Sequence, residues 1–222
     1  MIIVKGLAMA LLVNEIFYSI QGESIYSGRP CIFVRLTGCN LRCTYCDTQY
    51  AYEEGEKMEI AKIMRRVSGF KCRLIEITGG EPLIQNETPL LVSRLLENGY
   101  VVMMETNGSL DISRVDRRCI KVLDMKCPSS NESEKNNLKN LKQLQVTDQI
   151  KFVIGSDEDY TYAKNIISSH CPDFPGDRIL FSPVYDKMPP ADLADWILKD
   201  HLNVRLHLQI HKYIWPGRDK GI

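Results

Sequence analysis

The sequence predicts an α/β fold in which parallel strands alternate with helices, and three observations predict it. Short β-branched and aromatic runs recur along the 222 residues, amphipathic segments of helical period separate them, and the strand ends open into Gly-rich or polar stretches. Strand–helix–strand alternation implies right-handed crossovers and a parallel sheet. About six or seven such units fall short of an eight-fold closed barrel, so the expected architecture is an incomplete, open (β/α) barrel. Apolar residues make up 44% of the chain, enough for one sizeable core. Residues 1–222 therefore read as one domain, with an N-terminal extension over 1–10 and a C-terminal tail over 212–222.

Taken in order, Leu11 to Ile16 reads as a first strand, and Ser27-Gly28-Arg29-Pro30 as a turn. Cys31 to Thr37 is short, β-branched and aromatic, as expected of a strand buried on both faces. Glu59 to Gly69 places Ile60, Ile63, Met64 and Val67 on one helical face and ends at a glycine. Leu74 to Thr78 is a strand that opens into Gly79-Gly80-Glu81-Pro82, and a helix follows over Thr88 to Asn98 with Pro89 in its first turn. Val101–Glu105 and Ile120–Met125 are strands. Asn131 to Gln145 is polar with sparse leucines, which predicts a thin surface helix or a loose excursion. Gln149–Ile154 and Ile179–Pro183 are strands, Glu158–Ser169 and Ala191–Asp200 helices, and Val204–Ile210 a last strand.

Lys+Arg and Asp+Glu are equal at 28, and no block of like charge suggests a nucleic-acid arm or a membrane-binding face. A small molecule is the expected partner, with neither nucleic acid nor membrane. The apolar start is interrupted by Lys5 and lacks a basic leader, and no stretch reaches the roughly 18 uninterrupted apolar residues of a span. Eight cysteines, five of them scattered without pattern, suit a reducing cytoplasm better than a disulfide framework.

The other three cysteines stand together as Cys39-x3-Cys43-x2-Cys46, directly after the apolar strand. Zinc sites and ordinary iron–sulfur clusters normally take four protein ligands. Three thiolates would hold three irons of a cubane and leave the fourth open to an external ligand. The alternative is zinc with a fourth ligand from elsewhere, Cys31 being the nearest, but no second C-x2-C pair follows. Such a zinc-stabilised module would bind rather than catalyse.

The cysteine spacing, with Gly79-Gly80-Glu81-Pro82 downstream, resembles that of the radical S-adenosylmethionine (SAM) enzymes, which commonly use an open barrel. Gln21-Gly22-Glu23, Cys46-Asp47-Thr48, Asp124 to Ser130 and Gln209 to Tyr213 narrow the resemblance to the 7-carboxy-7-deazaguanine synthase family, over nearly the whole chain from Leu12. The resemblance implies a lyase that contracts 6-carboxy-5,6,7,8-tetrahydropterin to 7-carboxy-7-deazaguanine with loss of ammonia, on the way to queuosine and other 7-deazapurines. It implies a 4Fe-4S cluster on Cys39, Cys43 and Cys46, SAM, and magnesium at Thr48. By family position SAM meets Tyr45, Cys46, Asp47, Gly80, Cys127, Pro128, Ser129, Ser182, Pro183 and Val184, while substrate meets Ile20, Gln21, Gly22, Glu23, Arg35, Thr78 and His211. A fourth thiolate from Cys127 would block the site where SAM chelates. Also implied are a flavodoxin-like or ferredoxin-like electron donor and a homodimer. A glycyl-radical activating enzyme shares the cysteine spacing, but leaves Gln21-Gly22-Glu23 and Thr48 unexplained.

Overall fold

The computed structural model describes residues 9–218 and 220–222. The expected extension therefore lies almost wholly outside the described residues. Nine strands form one sheet: β1 (Ala10–Ile20), β2 (Pro30–Leu36), β3 (Glu56–Glu59), β4 (Leu74–Gly79), β5 (Val101–Thr106), β6 (Ile120–Met125), β7 (Gln149–Ile154), β8 (Ile179–Pro183) and β9 (Arg205–Leu206). Their order is β3-β1-β2-β4-β5-β6-β7-β8-β9, open at β3 and β9. From β2 to β9 every pairing is parallel. Helices α1 (Ile60–Ser68), α2 (Thr88–Glu97), α3 (Asp157–His170) and α4 (Pro190–Lys199) cover the outer face, and a short α5 (Ile210–Ile214) follows β9. Among the described residues no helix is long and apolar enough to cross a membrane.

Four expectations need correction. The first strand runs on to Ile20 and is antiparallel to β2, with Phe17 opposite Phe33, because the loop after it returns the chain directly alongside. A short antiparallel β3, missing from the sequence-based assignment, pairs with the start of β1 and precedes α1. The last strand shrinks to two exposed residues. Beyond it, the Ile210 N–H bonds to the Gly22 carbonyl at 3.0 Å rather than to a strand, and the chain turns into α5. The polar stretch after β6 is not an α-helix. It forms two 3-10 segments, Ser133–Lys135 and Leu138–Gln143.

Side chains alternate across a strand, and that alternation divides the molecule. Ile32, Val34, Ile75, Ile77, Val102, Met104, Ile150, Phe152 and Ile154 belong to the main core. Phe181 packs edge-on against Phe152 and Tyr160 within it. The opposite parity faces the concave side of the sheet. There Cys31, Phe33, Leu74 and Met103 form a separate apolar plug. One strand step further on, the same face carries Arg35, Glu76, Thr78, Glu105, Asp124 and Lys151, all lining a cavity.

Candidate active site

The cavity, of about 460 Å³, opens at the carboxyl ends of the parallel strands, where α/β barrels gather their chemistry. Its rim is the cluster loop. Cys39, Cys43 and Cys46 are free, half-buried thiols that all face it. Burial pushes the Cys43 thiol up to about 11 and also raises that of Cys39. Metal binding must displace those protons. Cys39 Sγ accepts the Leu41 N–H at 3.4 Å and lies 3.8 Å from Asn107 Nδ2, so sulfur lone pairs already meet donors as they do around a cluster. Among the described residues no three or more His, Cys, Asp or Glu side chains form a group that could hold a metal ion. A cubane instead takes one thiolate per iron. The soft, all-sulfur donor set fits such a cluster.

Gly80 abuts the loop: a Cβ there would lie 2.0 Å from the Gly38 carbonyl oxygen and 2.8 Å from Cys39 Cβ. Gly79 adopts φ +151°, and a Cβ on it would meet the Leu36 backbone at 2.2 Å. Both glycines therefore let two strand ends touch, as the close approach requires. The adjacent Glu81 is fully buried. It accepts from the Leu83 N–H at 3.0 Å, the Thr106 hydroxyl at 2.8 Å and the Asn107 N–H at 2.6 Å.

On the floor, Lys151 forms ion pairs with Glu23 at 2.9 Å, with Glu105, and with Asp124 at 3.7 Å. Burial alone would lower the Lys151 pKa, but Glu105, Glu23 and Asp124 hold it well above the usual lysine range. Burial likewise works to raise Glu23, yet Lys151 foremost, then His207, His211 and the Gln209 amide, keep it well below the usual carboxylate range. Glu76 goes the other way. Burial, with Glu105 nearby, pushes it up to about 8, while Gln21 donates a hydrogen bond to it. Asp124 also pairs with Lys126 at 2.8 Å, and its other oxygen is buried without a partner.

Most of the residues expected from sequence are brought together. Ile20, Gln21, Gly22, Glu23, Arg35, Thr78 and His211 line the cavity with Tyr45, Cys46, Asp47, Thr48, Gly80, Ser182, Pro183 and Val184. Arg35 is neither outward nor unpaired: its Nε meets Glu15 at 2.8 Å, and its guanidinium lies over the Phe17 and Tyr50 rings. His211 sits on α5 rather than after a strand, packed so closely that a Cβ at Gly22 would lie 2.0 Å from its Nδ1. Thr48 donates to the Asp47 carboxylate at 3.0 Å. Cys127, Pro128 and Ser129 do not line the cavity. Cys127 is wholly buried, and the Ser129 carbonyl accepts the Thr44 hydroxyl at 2.6 Å, bracing the cluster loop from behind.

Sequence reasoning missed Glu76, Glu105, Asp124, Lys126 and Lys151. Glu76, Glu105, Asp124 and Lys151 are ionisable residues within otherwise apolar strands, and all share the inward parity of Arg35 and Thr78; Lys126 follows directly after β6. That parity was a usable signal. The tail, too, is part of the site. Lys212 pairs with Asp47 at 2.7 Å, Gln209 bridges Glu23 and Asp47, and Arg218 and Ile222 line the mouth.

Comparison with known proteins agrees with this arrangement. Residues 33–127 match the radical SAM superfamily model. The 7-carboxy-7-deazaguanine synthase of Chlorobaculum tepidum is 44% identical over 221 residues, spanning 96% of this chain and 97% of its own. That of Koribacter versatilis is 42% identical over 224 residues, spanning 95% and 99%. The crystal structure of QueE from Escherichia coli shares the fold, with a TM-score of 0.70 and 24% identity over 90% of this chain and 94% of that one. With near-full-length relatives at this identity, the chain belongs to the 7-carboxy-7-deazaguanine synthase family of radical SAM enzymes.

Proposed function

We infer that this cavity converts 6-carboxy-5,6,7,8-tetrahydropterin to 7-carboxy-7-deazaguanine with release of ammonia, as a radical SAM carbon–nitrogen lyase of queuosine and 7-deazapurine biosynthesis. The observation that carries it is a single cavity shared by three clustered thiols at the rim and a paired arginine with buried carboxylates on the floor. A 4Fe-4S cluster and SAM are the cofactors of the superfamily. When bound, they supply one-electron cleavage of the sulfonium and hydrogen abstraction from substrate.

The chain's own residues bind, orient and exclude water. Cys39, Cys43 and Cys46 would hold the cluster, and the loop supplies no fourth thiolate. Tyr45, Cys46, Asp47, Gly80, Ser182, Pro183 and Val184 form the SAM subsite, which Ser129, next to Cys127 and Pro128, supports through its carbonyl on the Thr44 hydroxyl. Arg35, fixed by Glu15, receives the substrate carboxylate; a planar fork suits a bidentate partner. Gln21, Glu23 and the Ile20–Gly22 backbone read the heterocycle edge, with Thr78 and His211 on its flanks. Thr48, whose hydroxyl now donates to Asp47, would offer a hard oxygen suited to magnesium. A flavodoxin-like or ferredoxin-like donor, a homodimer and a cytoplasmic setting complete the proposal.

Anaerobic incubation of reduced, reconstituted protein with the pterin, SAM and magnesium tests it. Mass spectrometry should detect 7-carboxy-7-deazaguanine and an equal amount of ammonia. SAM cleavage without that product would overturn the substrate assignment.

A further inference from the structure

The polar segment between β6 and β7 is left unused by the chemistry, yet it is firmly built. Glu132 accepts the Arg42 N–H, inside the cluster loop, at 2.6 Å. Asn136 accepts the Lys126 N–H at 2.9 Å and donates to its carbonyl at 2.8 Å. Asn140, wholly buried, donates to the Gly108 and Leu110 carbonyls at 2.9 and 2.7 Å. Through Glu132, Asn136 and Asn140 the segment is fastened to the cluster loop and to the loops after β6 and β5, while Gln143 ties its far end to Asp111 at 3.3 Å.

Its outer face is basic. In a 3-10 turn side chains three apart eclipse, so the inward Leu138 and Leu141 leave Lys139 and Lys142 together on the other side. Lys135, Lys139 and Lys142 are exposed, and among the described residues none is in an ion pair. Exposed Arg42, its guanidinium over the Tyr52 ring and donating to the Cys39 and Leu41 carbonyls, adds a fourth cation; Glu134 and Asp111, which accepts from Gln143, are exposed acids there, while Glu132 is engaged by the Arg42 amide. Exposed Glu53, Glu54 and Glu56 follow the cluster loop in sequence, but Lys220 pairs with Glu54 at 3.4 Å and Lys62 with Glu56 at 2.5 Å.

We propose that the outer face of residues 131–143, with Arg42, is the docking surface for an acidic one-electron donor protein that reduces the cluster on Cys39, Cys43 and Cys46. This rests on the function proposed above, which requires such a cluster. One electron leaves the donor's reduced cofactor and enters the cluster, with no bond made or broken, so proximity is the main structural demand. One anchor of this segment, Glu132, meets the cluster loop itself at the Arg42 amide. Redox encounters are small and transient, and steering by a few fixed charges sets their rate.

The test is stopped-flow bleaching of the cluster absorbance in reconstituted protein, driven either by a reduced acidic flavodoxin or by dithionite. It reads electron entry without needing turnover, so its outcome is separable from that of the pterin assay. In Lys135→Glu/Lys139→Glu/Lys142→Glu the flavodoxin-driven rate at low salt should fall at least about tenfold, in the range of electrostatic steering, and lose its dependence on ionic strength. The dithionite rate and the iron content should stay at the wild-type level, and Lys→Gln at the same positions should fall between. An unchanged flavodoxin rate overturns the proposal, and so does an equal loss with dithionite, since the lysines would then serve the fold.

Discussion

Glu81 accepts the Asn107 backbone N–H at 2.6 Å, and Asn107 in turn holds Asn40 at 3.1 Å and faces Cys39 Sγ at 3.8 Å. A carboxylate from the Gly-Gly-Glu-Pro turn thus fixes the end of β5, which fixes the first cysteine. Its buried oxygens meet three donors from two loops, so the turn does more than reverse the chain.

Replacing Glu81 by Gln turns one accepting oxygen into an NH₂ that faces N–H or O–H donors. Leaving a buried donor unpaired costs roughly 1–3 kcal/mol. Urea unfolding of the cluster-free protein should show a loss of that size, and the reconstituted variant should release iron faster than wild type.

Gly80→Ala drives a methyl into the Gly38 carbonyl, which is backbone and cannot swing aside. Overpacking of this kind costs roughly 1–3 kcal/mol. SAM affinity, measured by calorimetry on the reconstituted protein, should fall by at least about tenfold, the equivalent of roughly 1.4 kcal/mol. The same change at Gly28, which has open space around it but φ +87°, should alter stability without altering SAM affinity.

Glu76 sets a pH dependence. Its folded pKa of about 8 lies above the ordinary glutamate value of 4.5, so the folded state binds more protons than the unfolded one between those values. Stability from this group is therefore fully present below about 4.5 and is lost as pH rises through about 8. Glu76→Gln should flatten that fall, becoming more stable relative to wild type at pH 9 than at pH 5. Chemical denaturation at the two pH values checks the sign.

Arg35→Lys keeps the charge but loses the planar fork that Glu15 orients. KM for the pterin should rise by about tenfold or more, corresponding to a charge-assisted hydrogen bond of roughly 1.5–3 kcal/mol, while SAM affinity stays near wild type. Glu15→Gln should show a smaller rise in the same direction.

Much of the fold was legible because local pattern and tertiary environment agree. The bounds of β6, β7 and β8 follow directly from apolar runs closed by turn residues, and α1 from one apolar stripe. What local pattern does not carry is the destination of backbone hydrogen bonds. Val204 to Ile210 reads as a strand, yet Ile210 donates to Gly22, a residue nearly two hundred positions earlier. Likewise the cluster loop, a contiguous motif, announced itself, whereas the Glu23–Lys151–Glu105–Asp124 network draws one residue from each of four separated segments. Each of its members alone resembles an ordinary charged residue. The parallel register of β5, β6 and β7 makes Glu105, Asp124 and Lys151 neighbours, and the loop after β1 adds Glu23.

The account depends most on a three-thiolate cluster with one iron left for SAM. The most direct measurement is the electron paramagnetic resonance spectrum of the dithionite-reduced protein, recorded before and after SAM is added. A reduced 4Fe-4S signal whose g values shift on SAM addition is the predicted result; a protein without inorganic sulfide, or a cluster spectrum indifferent to saturating SAM, would contradict it.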